Sequence, residues 1–239
     1  MLGAVIFDFD GVITDSEILH LRSFNQVLAQ FGVEITTKDY YKDYLGLTDL
    51  KCFESLADRG RLGLDEDGIE HLIKQKNQIF EKLAKTEGSI IEGVRDFLEM
   101  LKYHGHPGRG HGLEARGTIP MAICSGALLA EIELILEEAQ LRSFFEVIVS
   151  AEQIKKGKPN PEGFLLTLAK LNHDRRVPIA AGQCIVIEDS HWGLEAAKAA
   201  GMHTVAVTNS YDAEQLQPAE KIVTQLRELS IGDLQELCA

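Results

Sequence analysis

Apolar residues in this chain follow two patterns that alternate over most of its length. Ala4-Val5-Ile6-Phe7 is an unbroken apolar run, which reads as a strand buried on both faces. Further short runs occur at Pro120–Cys124, Val147–Ser150, Cys184–Ile187 and His203–Val207, with one more candidate at Lys221–Val223. Between them apolar positions recur at spacings of three and four. Val94, Phe97, Leu98 and Leu101 predict a helix over 92–103, and further helices follow over 127–140, Glu162–Leu171 and Trp192–Ala200, the last stopped by Gly201. Strand–helix alternation with apolar strands predicts an α/β fold. Its core is a Rossmann-like parallel sheet with helices on both faces.

One block interrupts the alternation. Ser16 stands where a cap is needed for a helix running to about Phe31, with Ile18, Leu21, Phe24, Leu28 and Phe31 on one face and Gly32 closing it. Short helices are predicted over 37–46, 48–59, 65–71 and 72–85, broken at Gly46, Gly60-Arg61-Leu62-Gly63 and Gly88. A helical block between one strand and the next is an insertion. Residues 15–87 are therefore expected to form an inserted α-helical cap domain, and 1–14 with 88–239 the catalytic core.

Composition narrows the function. The 239 residues carry a formal net charge of −13, which argues against nucleic acid or an anionic membrane as partner. It says nothing against a small anionic substrate in a pocket of its own field. The four cysteines are scattered without metal-like spacing, and Cys124 and Cys184 lie inside apolar runs as core thiols, which fits a reducing compartment. Asp8 interrupts the first apolar run too early for a signal peptide, and no apolar run approaches the roughly 20 residues that span a bilayer. The expectation is a cytoplasmic protein. Nothing in the sequence fixes its oligomeric state, with which a monomer is compatible. His104, His106 and His111 lie in a glycine-rich stretch; such a loop orders ligands poorly, and a solvated surface loop is expected there rather than a metal site.

The strand ends carry the candidate chemistry. The first is followed by Asp8, Asp10 and Gly11, the second by Ser125-Gly126 and the fourth by Glu188-Asp189-Ser190. A turn would account for any one of these, but parallel strands bring their carboxyl ends to one edge, where ligands bind in such sheets. Acidic side chains converging there repel one another unless a cation sits among them. Carboxylate oxygens with room for water suit magnesium. Ser125 and Gly126 offer a hydroxyl and close N–H groups to an anion, or else Ser125 caps the helix at 127–140. Lys158 precedes a helix with Asn160 as its expected cap and Pro161 as first residue. For Asp189 and Ser190, helix capping is the competing role.

Asp8-Phe9-Asp10-Gly11-Val12, Ser125-Gly126, Lys158-Pro159 and Glu188-Asp189-Ser190 resemble, in order, the four motifs of the haloacid dehalogenase superfamily of phosphatases. The insertion after the first motif resembles that superfamily's α-helical cap of the β-phosphoglucomutase and phosphoglycolate phosphatase type. The resemblance implies Asp8 as nucleophile and Asp10 as acid and base. It implies Mg2+ held by Asp8, Asp10 (through its backbone carbonyl) and Asp189, with Glu188 in support, and phosphate bound by Ser125, Gly126 and Lys158. The substrate would be a small phosphorylated metabolite. The alternative is a β-phosphoglucomutase-type isomerase, since His20 and Lys76 match cap positions of that group. That group carries a lysine and an arginine where this chain has Leu45 and Asp49, in Leu45-Gly46-Leu47-Thr48-Asp49. With Thr48 these residues argue against a second phosphate on the substrate, because an aspartate repels one. A catalytically silent binding protein is the third possibility, against which both Asp8 and Asp10 are present.

Overall fold

A computed structural model describes residues 1–44, 47–87, 90–103 and 118–239. Strand β1 (Ala4–Phe7) leads into a tight turn in which Gly11, at φ +73°, donates its N–H to the Thr14 carbonyl at 2.8 Å. Helices α1 (Glu17–Leu28), α2 (Thr37–Asp39), α3 (Asp49–Asp58) and α4 (Glu66–Glu87) follow, with a π-helical turn at Tyr40–Tyr44. Alternation then resumes through α5 (Val94–Tyr103), β2 (Met121–Cys124), α6 (Leu129–Glu138), β3 (Val147–Val149), α7 (Glu162–Leu171), β4 (Cys184–Glu188), α8 (His191–Ala199), β5 (His203–Val207), β6 (Lys221–Val223) and α9 (Ile231–Leu237). Two compact units result: Met1–Thr14 with Ile90–Ala239, and Asp15–Ser89.

The first unit is built on a six-stranded sheet in the order β3-β2-β1-β4-β5-β6, every pair parallel. All residues of β1, β2 and β4 are buried, as continuous apolar runs require. Their side chains alternate between faces. Ala4, Ile6, Ala122, Cys124, Cys184 and Val186 form one core with Phe164 of α7 and Ala196 and Ala197 of α8. Phe7 points the other way, meeting Phe97 of α5 edge-on at 6.1 Å and Phe145 at 5.9 Å. The four cysteines are free and buried. Among the described residues no helix is long and apolar enough to cross a membrane.

Among its described residues the second unit has helices and no strand, around a core that includes Phe24, Leu28, Tyr40, Phe53, Leu56 and Leu72. Here the structure corrects several expectations. One 22-residue helix, α4, replaces the two expected over 65–71 and 72–85. No glycine or proline separates those segments, and Ile69, Leu72, Lys76, Phe80 and Leu83 keep one buried stripe at spacings of three and four. Ser16 precedes α1 without a capping side-chain hydrogen bond. Of the described part of the 37–46 segment, Thr37–Asp39 is α-helical and Tyr40–Tyr44 forms the π-helical turn. Leu45 and the three loop histidines lie outside the described residues.

Candidate active site

Strand register brings the acidic residues together. Phe7 pairs with Ile123 on one side and Ile187 on the other, so Asp8, Ser125 and Glu188 emerge at the same edge. Asp8 donates its N–H to the Ile187 carbonyl at 2.9 Å, and Ser125 donates its own to Val149 at 2.9 Å. Ligand atoms of Asp8, Glu188 and Asp189 lie within 4.8 Å of one another, and all three residues are buried. The Asp10 carboxylate is not one of that group, and Asp10 is half-buried on the turn.

Lys158 is the cation of the cluster. Its Nζ donates to Asp8 Oδ1 at 2.6 Å and to Glu188 Oε1, and lies 5.4 Å from the centre of the Phe164 ring. Glu188 is also held by its other oxygen, which accepts from the Asp189 N–H at 3.0 Å, the Ser190 N–H at 3.1 Å and the Ser190 hydroxyl at 2.9 Å. Ser190 in turn caps α8, accepting from the Gly193 N–H at 3.2 Å, so the capping role considered for it is the observed one. Asp189 does not cap; its Oδ2 accepts from the Ser210 hydroxyl.

Three carboxylates face one ammonium in a space withdrawn from water. Burial, and then the charge of Glu188, push the Asp8 carboxyl from its ordinary 3.8 up to about 7, against the pull of Lys158. Burial, with Glu188 and Asp8 behind it, raises Asp189 well above the carboxylate range. A shift of the Asp8 size corresponds to roughly 4 kcal/mol held against the ionised form. A hard divalent cation among these oxygens would remove that penalty, and an all-oxygen donor set is the kind magnesium takes. The cluster is fit to bind a metal.

Ser125 is not the cap of α6, which begins at Leu129 with Leu128 before it. Its Oγ accepts from the Ala127 N–H at 2.9 Å, which leaves the hydroxyl hydrogen to donate elsewhere. Gly126 is exposed, and a Cβ built there would meet nothing within 4 Å. Pro161, rather than Asn160, immediately precedes α7, and Asn160 Oδ1 accepts the Glu162 N–H at 3.1 Å from one residue further out.

Two glycines make the packing possible. A Cβ on Gly193 would lie 1.7 Å from Glu188 Oε1, and one on Gly11 would lie 1.7 Å from Asp189 Oδ2. Sequence reasoning placed Gly11 in a turn but missed Gly193, for which a glycine in the first turn of a helix, three residues after Ser190, was the available signal. Ser210 and Asn209 were missed altogether, since Asn-Ser after a strand is ordinary turn composition.

The helical unit carries a second polar cluster. Lys76 is fully buried and bonds Asp49 Oδ1 at 2.9 Å and Oδ2 at 3.0 Å, together with His20 Nδ1 at 2.8 Å. Phe24 and Phe80 flank the ammonium, each ring centre 5.2 Å away. His20 stacks on Phe80 at 4.2 Å, and burial and then Lys76 hold its pKa well below the usual value. The imidazole is therefore neutral, accepting at Nδ1 with its proton on Nε2. His20 is thus not a solvent-facing helix residue. Nor does Asp49 present the uncompensated charge expected of it, since Lys76 matches it. Thr48 caps α3 by accepting the Lys51 N–H at 3.3 Å.

Comparison with known proteins places these features in context. The family profile for haloacid dehalogenase-like hydrolases matches residues 5–207. A phosphorylated carbohydrates phosphatase of Thermotoga maritima is 30% identical over 206 residues, covering 84% of this chain and 83% of that protein. Hexitol phosphatase B of Escherichia coli K12 is 29% identical over 238 residues, covering 99% of this chain and 94% of its own. The crystal structure of β-phosphoglucomutase from Clostridium difficile superposes with a TM-score of 0.78 at 24% identity, covering 100% of this chain and 97% of that one, a likeness of fold.

Proposed function

From the premise that this chain belongs to the haloacid dehalogenase-like hydrolases and is a phosphatase of small phosphorylated compounds, we propose that it hydrolyses a phosphorylated sugar or polyol through an aspartyl-phosphate on Asp8, with Mg2+ as cofactor. The observation that carries the reading is the buried surplus of carboxylate over ammonium at Asp8, Glu188, Asp189 and Lys158. The substrate class is taken from the relatives, which are named for phosphorylated carbohydrates and hexitols.

In this mechanism an Asp8 carboxylate oxygen attacks phosphorus and the ester P–O bond breaks. Asp10 delivers its proton to the leaving oxygen. Asp10, now a carboxylate, takes a proton from the water that attacks the phosphoenzyme, breaking the bond to Asp8 and restoring both side chains. Lys158, already hydrogen-bonded to Asp8, remains beside the phosphoryl oxygens, and the Ser125 hydroxyl donates to one of them. Asp8, Asp189 and the Asp10 carbonyl would hold the magnesium ion, which would supply positive charge against the negative charge spread over the transferring phosphoryl oxygens. Both Glu188 oxygens already have donors, so its part is to fix Lys158 and the start of α8.

The helical unit supports hydrolysis over isomerisation. A mutase must grip the second phosphate of a bisphosphate intermediate, and the buried lysine of this unit is already matched by Asp49. The test is phosphate release across a panel of sugar and polyol phosphates with magnesium, with Asp8→Asn and EDTA as controls. Release from the wild type alone, lost in both controls, is expected. Turnover by Asp8→Asn would overturn the covalent route, and rapid conversion of β-glucose 1-phosphate to glucose 6-phosphate with little free phosphate would establish the mutase instead.

A further inference from the structure

Beyond the residues of the four motifs, the loop after β5 reaches the same edge of the sheet. Strand β5 pairs with β4 through Ile187–Val205 and Glu188–Ala206, so the residues after Val207 emerge alongside Asp189. Two consecutive side chains there tie separate parts of the site. Asn209 Nδ2 donates to the Gly11 carbonyl at 2.7 Å, on the turn that carries Asp10. The half-buried Ser210 donates its hydroxyl to Asp189 Oδ2. Gly11 lies so close that a Cβ on it would sit 1.7 Å from Asp189 Oδ2 and 2.8 Å from Ser210 Oγ. The nucleophile turn, the Asp189 carboxylate and the β5 loop thus meet at one point, and no side chain on Gly11 could be admitted without moving the other two.

We propose that Ser210 is a positioning residue that fixes the rotation of the Asp189 carboxylate for metal binding. A carboxylate on a single bond can turn freely unless one oxygen is held. The Ser210 hydroxyl holds Oδ2 and leaves Oδ1 for the cation, while the Asn209–Gly11 bond anchors the loop from which Ser210 acts. Outer partners of this kind orient ligands and set affinity without touching the ion. The inference rests on the metal reading given above and adds to it a residue outside the four motifs.

The test is a Mn2+ titration of the metal-free protein without substrate, read by the loss of the free-ion signal in electron paramagnetic resonance. Wild type, Asp189→Ala, Ser210→Ala, Ser210→Thr and Ser210→Val are compared, with circular dichroism as the check on folding. Threonine and valine match in size, so the pair isolates the hydroxyl even if alanine perturbs the loop. We expect Ser210→Val and Ser210→Ala to weaken Mn2+ binding by about tenfold, and Ser210→Thr to stay within about twofold of wild type on the same scale. Equal binding by the threonine and valine variants, with Asp189→Ala still impaired, would overturn this inference alone. Failure of the wild type to bind Mn2+ would overturn the metal reading and this inference with it.

Discussion

Lys158 in the sheet unit and Lys76 in the helical unit are both withdrawn from water, with side chains 19% and 0% exposed, yet their surroundings differ. Lys76 faces one carboxylate and a neutral imidazole, so its charge is balanced and every donor direction lies within a single fold unit. Lys158 faces two carboxylates directly, with a third, Asp189, beside them. The first arrangement is complete as it stands. The second carries more negative charge than it can neutralise, and raised carboxyl pKa values are the physical sign of that imbalance. A buried lysine by itself therefore says little about function; the sign of the charge left over around it says more.

The largest effects should come from removing each lysine. Lys76→Met leaves Asp49 without its partner and should cost about 3 kcal/mol in urea denaturation, a loss that divalent cation does not repair. Lys158→Met should destabilise the metal-free protein by a comparable amount, and millimolar Mg2+ or Mn2+ should restore most of it, because three carboxylates remain to bind the ion. Equal responses of the two variants to metal would mean that the two lysine sites do not differ in the charge left over around them.

A smaller effect is expected from pH. The folded protein keeps a proton on Asp8 up to about 7, whereas an unfolded chain releases it near 3.8. A group whose folded pKa is raised favours the folded state below the window and loses that contribution as pH rises through it. With metal removed, Asp8→Asn should therefore melt higher than wild type at pH 8. The advantage should be smaller at pH 5, by roughly 2–3 kcal/mol when converted to free energy. An advantage independent of pH would mean that Asp8 is not the strained group.

The sheet was legible because its strands are short, mainly apolar runs bounded by polar turns, and because parallel strands share an edge. That edge is where the structure puts Asp8, Ser125, Glu188 and Asp189. The long helix α4 was read as two because a break was placed where the chain supplies no breaker. Contacts between residues distant in sequence were not legible. His20 and Lys76 are 56 positions apart, Asp49 and Lys76 are 27, and Asp189 and Ser210 are 21. No local periodicity encodes such pairs. Asp49 consequently read as a charge that repels phosphate, and Ser210 drew no reading at all.

The smallest effect separates folding from recognition in the helical unit. The Thr48 hydroxyl caps α3, so Thr48→Ala should cost about 1 kcal/mol of stability while leaving metal affinity alone. Its effect on the KM for a sugar phosphate, measured beside the stability change, decides whether Thr48 also contacts substrate. A raised KM with unchanged stability would assign it to recognition instead of capping.

If the surplus of carboxylate around Lys158 marks a nucleophile, the phosphoryl group can be trapped on it. In Asp10→Asn the base for the second step is gone. A substrate such as p-nitrophenyl phosphate needs no proton on its leaving group and can still load the enzyme. Acid quenching after mixing with magnesium and this substrate, then proteolysis and mass spectrometry, should show one phosphoryl group on Asp8 in the peptide spanning the first strand. Release of p-nitrophenol by the same sample with Asp8 unmodified, or with the phosphoryl group on another residue, would contradict the account.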